Sequence, residues 1–207
     1  MESQARGGTR WRRFGLVMVP SVAATAAIGI ALAQGALAAS FAVSGQQFKV
    51  SVDQLDGEGF VQYGTFVTPA GGSRTPVAVS GFDHATITNL CQSVVIPVPV
   101  FGDVTVRIGA GSDPNNPVDA DNLFIDLAQL NAGDATFTNI DIGVSVDSVG
   151  TNPDGDLGGV LPGSFAQRSD GAVLNDVEQV AWATSAGSFR LTDMSLGLSR
   201  GTSQECF

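Results

Sequence analysis

The sequence predicts an all-β protein of repeating bent strands. The architecture is a β-solenoid or β-roll, or a strongly twisted antiparallel sheet, with a β-sandwich as the alternative. Three observations carry this. A six-residue signature recurs as ATITNL at 85–90 and ATFTNI at 135–140, with a looser copy, SFRLTDM, at 188–194. Its core returns at Asn122-Leu123 and Asp176-Val177, and more faintly at Gln54-Leu55. After the copy at Asn139 the apolar residues Ile140, Ile142, Val144 and Val146 alternate, the period of a strand with one buried face.

Each copy also breaks that alternation. Phe137 is out of phase with Ile140, Ile87 with Leu90, and Leu191 with the series Met194, Leu196, Leu198. A one-residue slip sends side chains to the opposite face unless the backbone absorbs it. Asn and Asp tolerate left-handed and Asx-turn geometry, so each copy is predicted to be a bulge or corner inside a β-structure. The Asn/Asp positions lie 17 residues apart from Asn122 to Asn139, and again from Asp176 to Asp193. A unit of that length fits one coil of a solenoid or one hairpin of a bent sheet.

Residues 1–39 read as an export signal. Arg6, Arg10, Arg12 and Arg13 face one acid, Glu2, and residues 15–39 carry no charge. A basic start followed by an apolar stretch is the layout of a signal peptide, and Ala36-Leu37-Ala38 supplies a small-x-small cleavage site. The stretch is also long enough to span a bilayer as a hydrophobic helix if it is kept as a signal anchor. Membrane contact would then run through residues 15–39. Residues 40–207 form one all-β exported domain. Within it, SFAVSG, QFKVSV and GFVQYGTFV read as two or three strands punctuated by Gly57 and Gly59. Residues 68–76, 111–120 and 148–164 read as loops, and Leu174–Thr184 reads as helix or strand. Pro97 and Pro99 place 91–102 at an edge or crossing.

Beyond residue 39 six Lys/Arg stand against nineteen Asp/Glu. So acidic a surface excludes nucleic acid, whose phosphates need a basic face. It also opposes direct adsorption to anionic headgroups. Cys91 and Cys206 are the only cysteines, and in an exported chain an even pair reads as a disulfide.

Three chemistries deserve weighing. Gly197-Leu198-Ser199-Arg200-Gly201 is a literal G-x-S-x-G, but six residues follow it, too few for the helix and the downstream acid and histidine of a hydrolase. The one histidine, His84, lies far upstream, so no catalytic residue is assigned. Asn152, Asp154 and Asp156 alternate oxygen ligands in a Gly-rich loop and make calcium the one candidate cofactor. Phe48, Phe60, Phe66, Phe124, Phe137 and Phe189 make a candidate apolar face, lining a ligand cavity or packing a dry core.

The stretches MESQARGGTRW, VPSVAATAAIGIALAQGALAASFAVSGQQFKV, LDGEGFVQYG, ATITNLCQSVV and VEQVAWATSAGSFRL resemble an exported actinobacterial family of unknown function, of the Streptomyces type. Its members often carry the label "cholesterol esterase". The resemblance covers nearly the whole chain, including both cysteines, and implies an exported or membrane-associated protein. It brings no catalytic residues. The expectation is a non-enzymatic cell-envelope protein that is structural or binds an apolar or lipid partner. A lipid esterase and a calcium-stabilised adhesion module are the alternatives.

Overall fold

A computed structural model describes residues 44–149 and 160–207. The N-terminal segment expected as a hydrophobic helix, and the loop with Asn152, Asp154 and Asp156, lie outside the described residues. Ten strands follow one another: β1 (Phe48–Val67), β2 (Thr75–Thr88), β3 (Leu90–Val98), β4 (Gly102–Ala110), β5 (Val118–Asn131), β6 (Asp134–Thr138), β7 (Asp141–Ser145), β8 (Phe165–Ser185), β9 (Ser188–Arg190) and β10 (Ser195–Arg200). One 3-10 turn, Val146–Ser148, follows β7.

The strands form one sheet rather than the two of a sandwich, and every pairing is antiparallel. β1 and β8 run for 20 and 21 residues, several times an ordinary strand. QFKVSV and GFVQYGTFV are therefore pieces of a single strand, and Leu174–Thr184 is β-structure. The breaks read as strand ends are bends that the hydrogen-bond ladder passes through.

β1 pairs with β2, β2 with β5, β5 with β8, and β8 with β1 again, so four strands close a ring. The ring does not close level. Glu58 of β1 pairs with Gly171 of β8 on one side. On the other side the path runs through His84 and Asp121 to Ser188, 17 residues further along. The sheet thus winds as a staggered roll, and its stagger equals the spacing from Asn122 to Asn139. The remaining strands extend the roll. β3, β4 and β10 continue one end of the sheet; β6 and β7 continue β5 along β8.

The signature residues are the corners. Asn89, Asn122, Asn139, Asp176 and Asp193 all adopt left-handed backbone, with φ between 49° and 53°. Asn and Asp accept that conformation more readily than other residues with a Cβ. Gln54, the faintest copy, does not adopt it. Its neighbour Asp53 instead accepts two 3.1 Å hydrogen bonds from the Asn89 side chain.

The corners align across strands in two lines. One runs through Asp193, Gly111, Asn89, Asp53, Asp176 and Gly133. It is stitched by Gly111 N–H to Thr192 O (2.8 Å), Asn89 N–H to Gly111 O (2.7 Å) and Gly133 N–H to Asn175 O (2.9 Å). The other runs through Gly187, Asn122, Asp83, Gly59, Asp170 and Asn139. There Asn139 donates to Asp170 at 2.7 Å, and Gly187 N–H donates to Asp121 O at 2.8 Å. Gly59 has φ +64°, and a Cβ on it would lie 2.1 Å from an Asp83 carboxylate oxygen.

At Asp53, Asn89, Asn122 and Asp176 crossing a line flips the alternation and keeps apolar residues inward, whereas after Asn139 the alternating Ile140 and Ile142 are exposed and a bulge between Ile142 and Val144 breaks the series. Val52 and Leu55, Ile87 and Leu90, Ala120 and Leu123, and Leu174 and Val177 are buried pairs that straddle a corner. They belong to one core cluster inside the ring. The series Met194, Leu196, Leu198 alternates as expected, yet it runs from the residue before β10 into it with Leu198 68% exposed. β10 ends the sheet, and no described element covers that face.

Residues 201–207 cover the opposite face. Cys91 and Cys206 form the expected disulfide, with a sequence separation of 115 residues. Thr105 donates to Gly201 O at 2.6 Å and Cys206 N–H to Ser93 Oγ at 3.0 Å. Lys49 pairs with Glu205 at 2.8 Å and donates to Phe207 O at 2.7 Å. Crosslinking so long a loop contributes about 4–5 kcal/mol by chain entropy.

Gly59→Ala will lower the unfolding free energy by about 1–3 kcal/mol, because it adds left-handed strain to the clash with Asp83. Asn89→Gly will cost less than Asn89→Val, since Gly keeps the corner and Val opposes it. Urea titrations of the three variants check both. Equal losses for the two Asn89 substitutions would mean that the corner backbone is not what Asn89 supplies.

Candidate functional site

The inward face of the roll is not evenly filled. Between the corner lines, Phe137, Ala172, Gly57, Ala85, Ala120 and Phe189 form one cross-strand row. Four small residues in sequence leave space that larger side chains would occupy. Phe82 takes part of it, lying so close that a Cβ on Gly57 would be 2.3 Å from its ring. Phe60 stacks at a tilt between Phe82 (5.3 Å) and Phe137 (5.2 Å). Beside this aromatic stack lies a cavity of about 240 Å³.

Its walls are Leu55, Phe60, Phe82, Ile125, Leu127, Leu130, Phe137, Leu174 and Val177, with Gln62, Ser80 and Gln179 as the polar members. Ala132 and Ala135 complete the lining and are exposed, so the mouth lies where β5 passes into β6. A smaller void of about 30 Å³ shares Leu55, Ile125, Val177 and Gln179 and reaches Phe189. Among the described residues no charged one lines either space. Gln62 donates to Ser80 Oγ at 2.8 Å and accepts from Gln167 at 2.7 Å, so its amide is engaged.

The six phenylalanines do not share one face. Phe60 and Phe137 line the cavity and Phe189 the smaller void. Phe48 packs against the main core cluster and borders a surface groove with Trp182 and Glu205. Phe124 packs with the second buried cluster around Tyr63 and Val146. Phe66 is exposed and carries the Arg74 guanidinium 4.5 Å above its ring. The aliphatic wall residues and Gln179 were not singled out in the sequence. The row of small residues that makes room for the Phe82 ring is contributed by β8, β1, β2 and β5 and has no local signature.

The titratable groups form a separate, outward-facing cluster. His84 Nδ1 lies 3.0 Å from Asp121 Oδ1, and its Nε2 lies 3.9 Å from Asp119. Ser188 donates to the other Asp121 oxygen at 2.7 Å. The hydrogen bond to Asp121 holds the imidazole pKa above its ordinary value. The bonds from Ser188 and then His84 hold the Asp121 carboxyl below its own. His84, Asp119 and Asp121 place one donor atom each within 4.8 Å, a compact group for a cation in chemical type. In a hydrolase relay the serine bonds to the histidine; here it bonds to the acid. Ser199 sits within β10, and its buried Oγ has no hydrogen-bond partner. The G-x-S-x-G segment is thus an edge strand, not the strand-to-helix turn of a nucleophile elbow. In the 111–120 loop, Asp113 accepts from the N–H and side chain of Asn115, which is ordinary turn chemistry. Asp126 is pushed above the usual carboxylate range by burial.

These features define a single-sheet, rolled antiparallel β domain around an apolar cavity. The chain belongs to a family of unknown function, DUF6230, whose pattern matches residues 44–207. No curated protein and no solved structure matches the chain.

Two pH-dependent outcomes follow. The raised His84 pKa means that protonation favours the fold. That contribution is present below the unfolded imidazole value and is lost as pH rises through the folded one. An NMR titration of the single histidine will place its pKa above a model peptide's, and Asp121→Asn will bring it down. Asp126 has the opposite consequence for an acid: its raised pKa costs stability once pH exceeds the folded value. Asp126→Asn will raise Tm at pH 7 by about 2 °C, allowing for solvent screening, with the gain shrinking toward pH 3. A gain that does not depend on pH would disprove the burial cost.

Proposed function

We propose that this is an exported cell-envelope domain that binds a small apolar or lipid molecule in the cavity of its roll and does not transform it. The observation that carries the reading is the cavity itself: about 240 Å³, walled by aromatic and aliphatic side chains and open at Ala132 and Ala135. Cores ordinarily pack to crystal density with few voids larger than a water molecule. Engineered apolar cavities of roughly 150 Å³ stay dry and take up apolar guests. Drug-sized pockets begin near 300 Å³, so the occupant is a compact molecule or one segment of a chain.

The rest of the reading draws on other features. The Cys91–Cys206 disulfide fits an oxidising, extracytoplasmic compartment, as does the basic and then uncharged start of the chain. No helix among the described residues is long and apolar enough to cross a membrane. Residues 15–39, if they stay uncleaved, are the proposed site of membrane contact. A binding role rather than esterase chemistry accords with His84, which bonds to Asp121, and with a cavity lined by no histidine or carboxylate. The resemblance to exported actinobacterial proteins agrees with this setting.

Native mass spectrometry of the protein from its own host envelope tests the reading. The expected result is a complex whose extra mass is released by organic solvent. Ala135→Trp, placed at the exposed mouth, will abolish that mass while leaving Tm within about 2 °C, as surface substitutions do. A bare polypeptide in the wild type, together with no uptake of added apolar probes, would sink the proposal.

A further inference from the structure

Gln179 is out of place in the roll. It sits on β8 among inward-facing residues, pairing with Val50 and Leu130, and is only 7% exposed. Its side chain lines both the cavity and the smaller void beside it. A glutamine amide has two donors and an acceptor with two lone pairs. Gln62, the other glutamine of the cavity, spends its amide on Ser80 and Gln167. The Gln179 side chain makes no hydrogen bond among the described residues, and its N and O atoms are not among the fully enclosed unpartnered ones, so they face the open space of the cavity. An amide that opens onto an otherwise apolar cavity finds its partner there in water or in a ligand's polar group.

We propose that the cavity takes an uncharged amphiphile, an apolar body bearing a hydroxyl, ester or amide group, and that Gln179 hydrogen-bonds that polar group. This rests on the ligand-binding reading above and narrows it to a chemical class. The restriction to a neutral ligand comes from the lining, which offers no Lys, Arg or His to an ionised headgroup. A carboxylate buried there would lose its hydration without gaining a counter-charge. Ser80 supports the same class. Its Oγ accepts from Gln62, which leaves its own O–H to donate within the lining.

The test is a methyl NMR titration of the full-length chain with three probes of equal chain length: n-octane, 1-octanol and octanoate. The cavity is followed at the methyls of Leu127 and Leu174. The wild type is expected to bind 1-octanol about tenfold more tightly than n-octane, the worth of one hydrogen bond. Octanoate at pH 7 is expected to bind at least about tenfold more weakly than the alcohol. In Gln179→Leu and Gln179→Met, which keep the volume, the alcohol's advantage over the alkane should fall to within about twofold while alkane binding persists. A preference for 1-octanol that survives both substitutions, or octanoate binding as tight as the alcohol's, overturns the assignment of Gln179 and leaves the cavity reading standing. If no probe shifts the two methyls in the wild type, both fail together.

Discussion

The structure depends on one constraint of β-geometry: a strand that turns a corner must not lose its buried face. Side chains alternate with period two, so a corner of ordinary residues would send every later apolar side chain to solvent. A single left-handed residue supplies the missing half-turn. Asn89, Asn122, Asn139, Asp176 and Asp193 do this with φ near 50°, at a conformational cost that Asn and Asp bear better than other side chains. Their side chains meet the acids and glycines opposite, as Asn89 meets Asp53 and Asn139 meets Asp170. Because the corners fall in two lines, every strand bends at the same place and the sheet rolls without tearing its ladder.

The roll in turn explains the cavity. The lines cross the chain six residues apart, at Asp53 and Gly59, Asp83 and Asn89, Gly133 and Asn139, and Asp170 and Asp176. Such a panel turns few residues inward. At Gly57 this leaves room for the Phe82 ring, against which Phe60 and then Phe137 stack, and the three rings border the cavity. Glycine is required at Gly57 because Phe82 occupies the place of its Cβ. The same holds at Gly81, where a Cβ would lie 2.5 Å from the Phe124 ring.

Charge is kept apart from this interior. The acids gather on the outer side of the corners, where Asp53 and Asp170 serve as hydrogen-bond acceptors, and in the exposed His84–Asp121–Ser188 chain. The disulfide and the Lys49–Glu205 pair hold residues 201–207 against one face of the β3, β4 and β10 extension. Those strands lie outside the closed ring, where an edge would otherwise fray.

The all-β class, the corners and the disulfide were legible in the sequence, because each has a local or compositional cause. A period-two pattern that slips at Asn or Asp specifies a bent strand wherever it occurs. Two cysteines in an exported chain have few other uses. The 17-residue spacing was visible as well, but its origin was not: it equals the stagger of a ring of four strands, which exists only once β8 has met β1. The same holds for the cavity. Leu55, Ile125, Leu174 and Gln179 are unremarkable on their own strands and enclose a space only when antiparallel registers bring them together. Phe66 carries the same hydrophobicity as Phe60 and Phe137, and pairing alone decided that it faced outward while they faced the interior. Local chemistry determined that the strands bend and where. The long-range register, fixed jointly by all the strands, decided what the bends enclose.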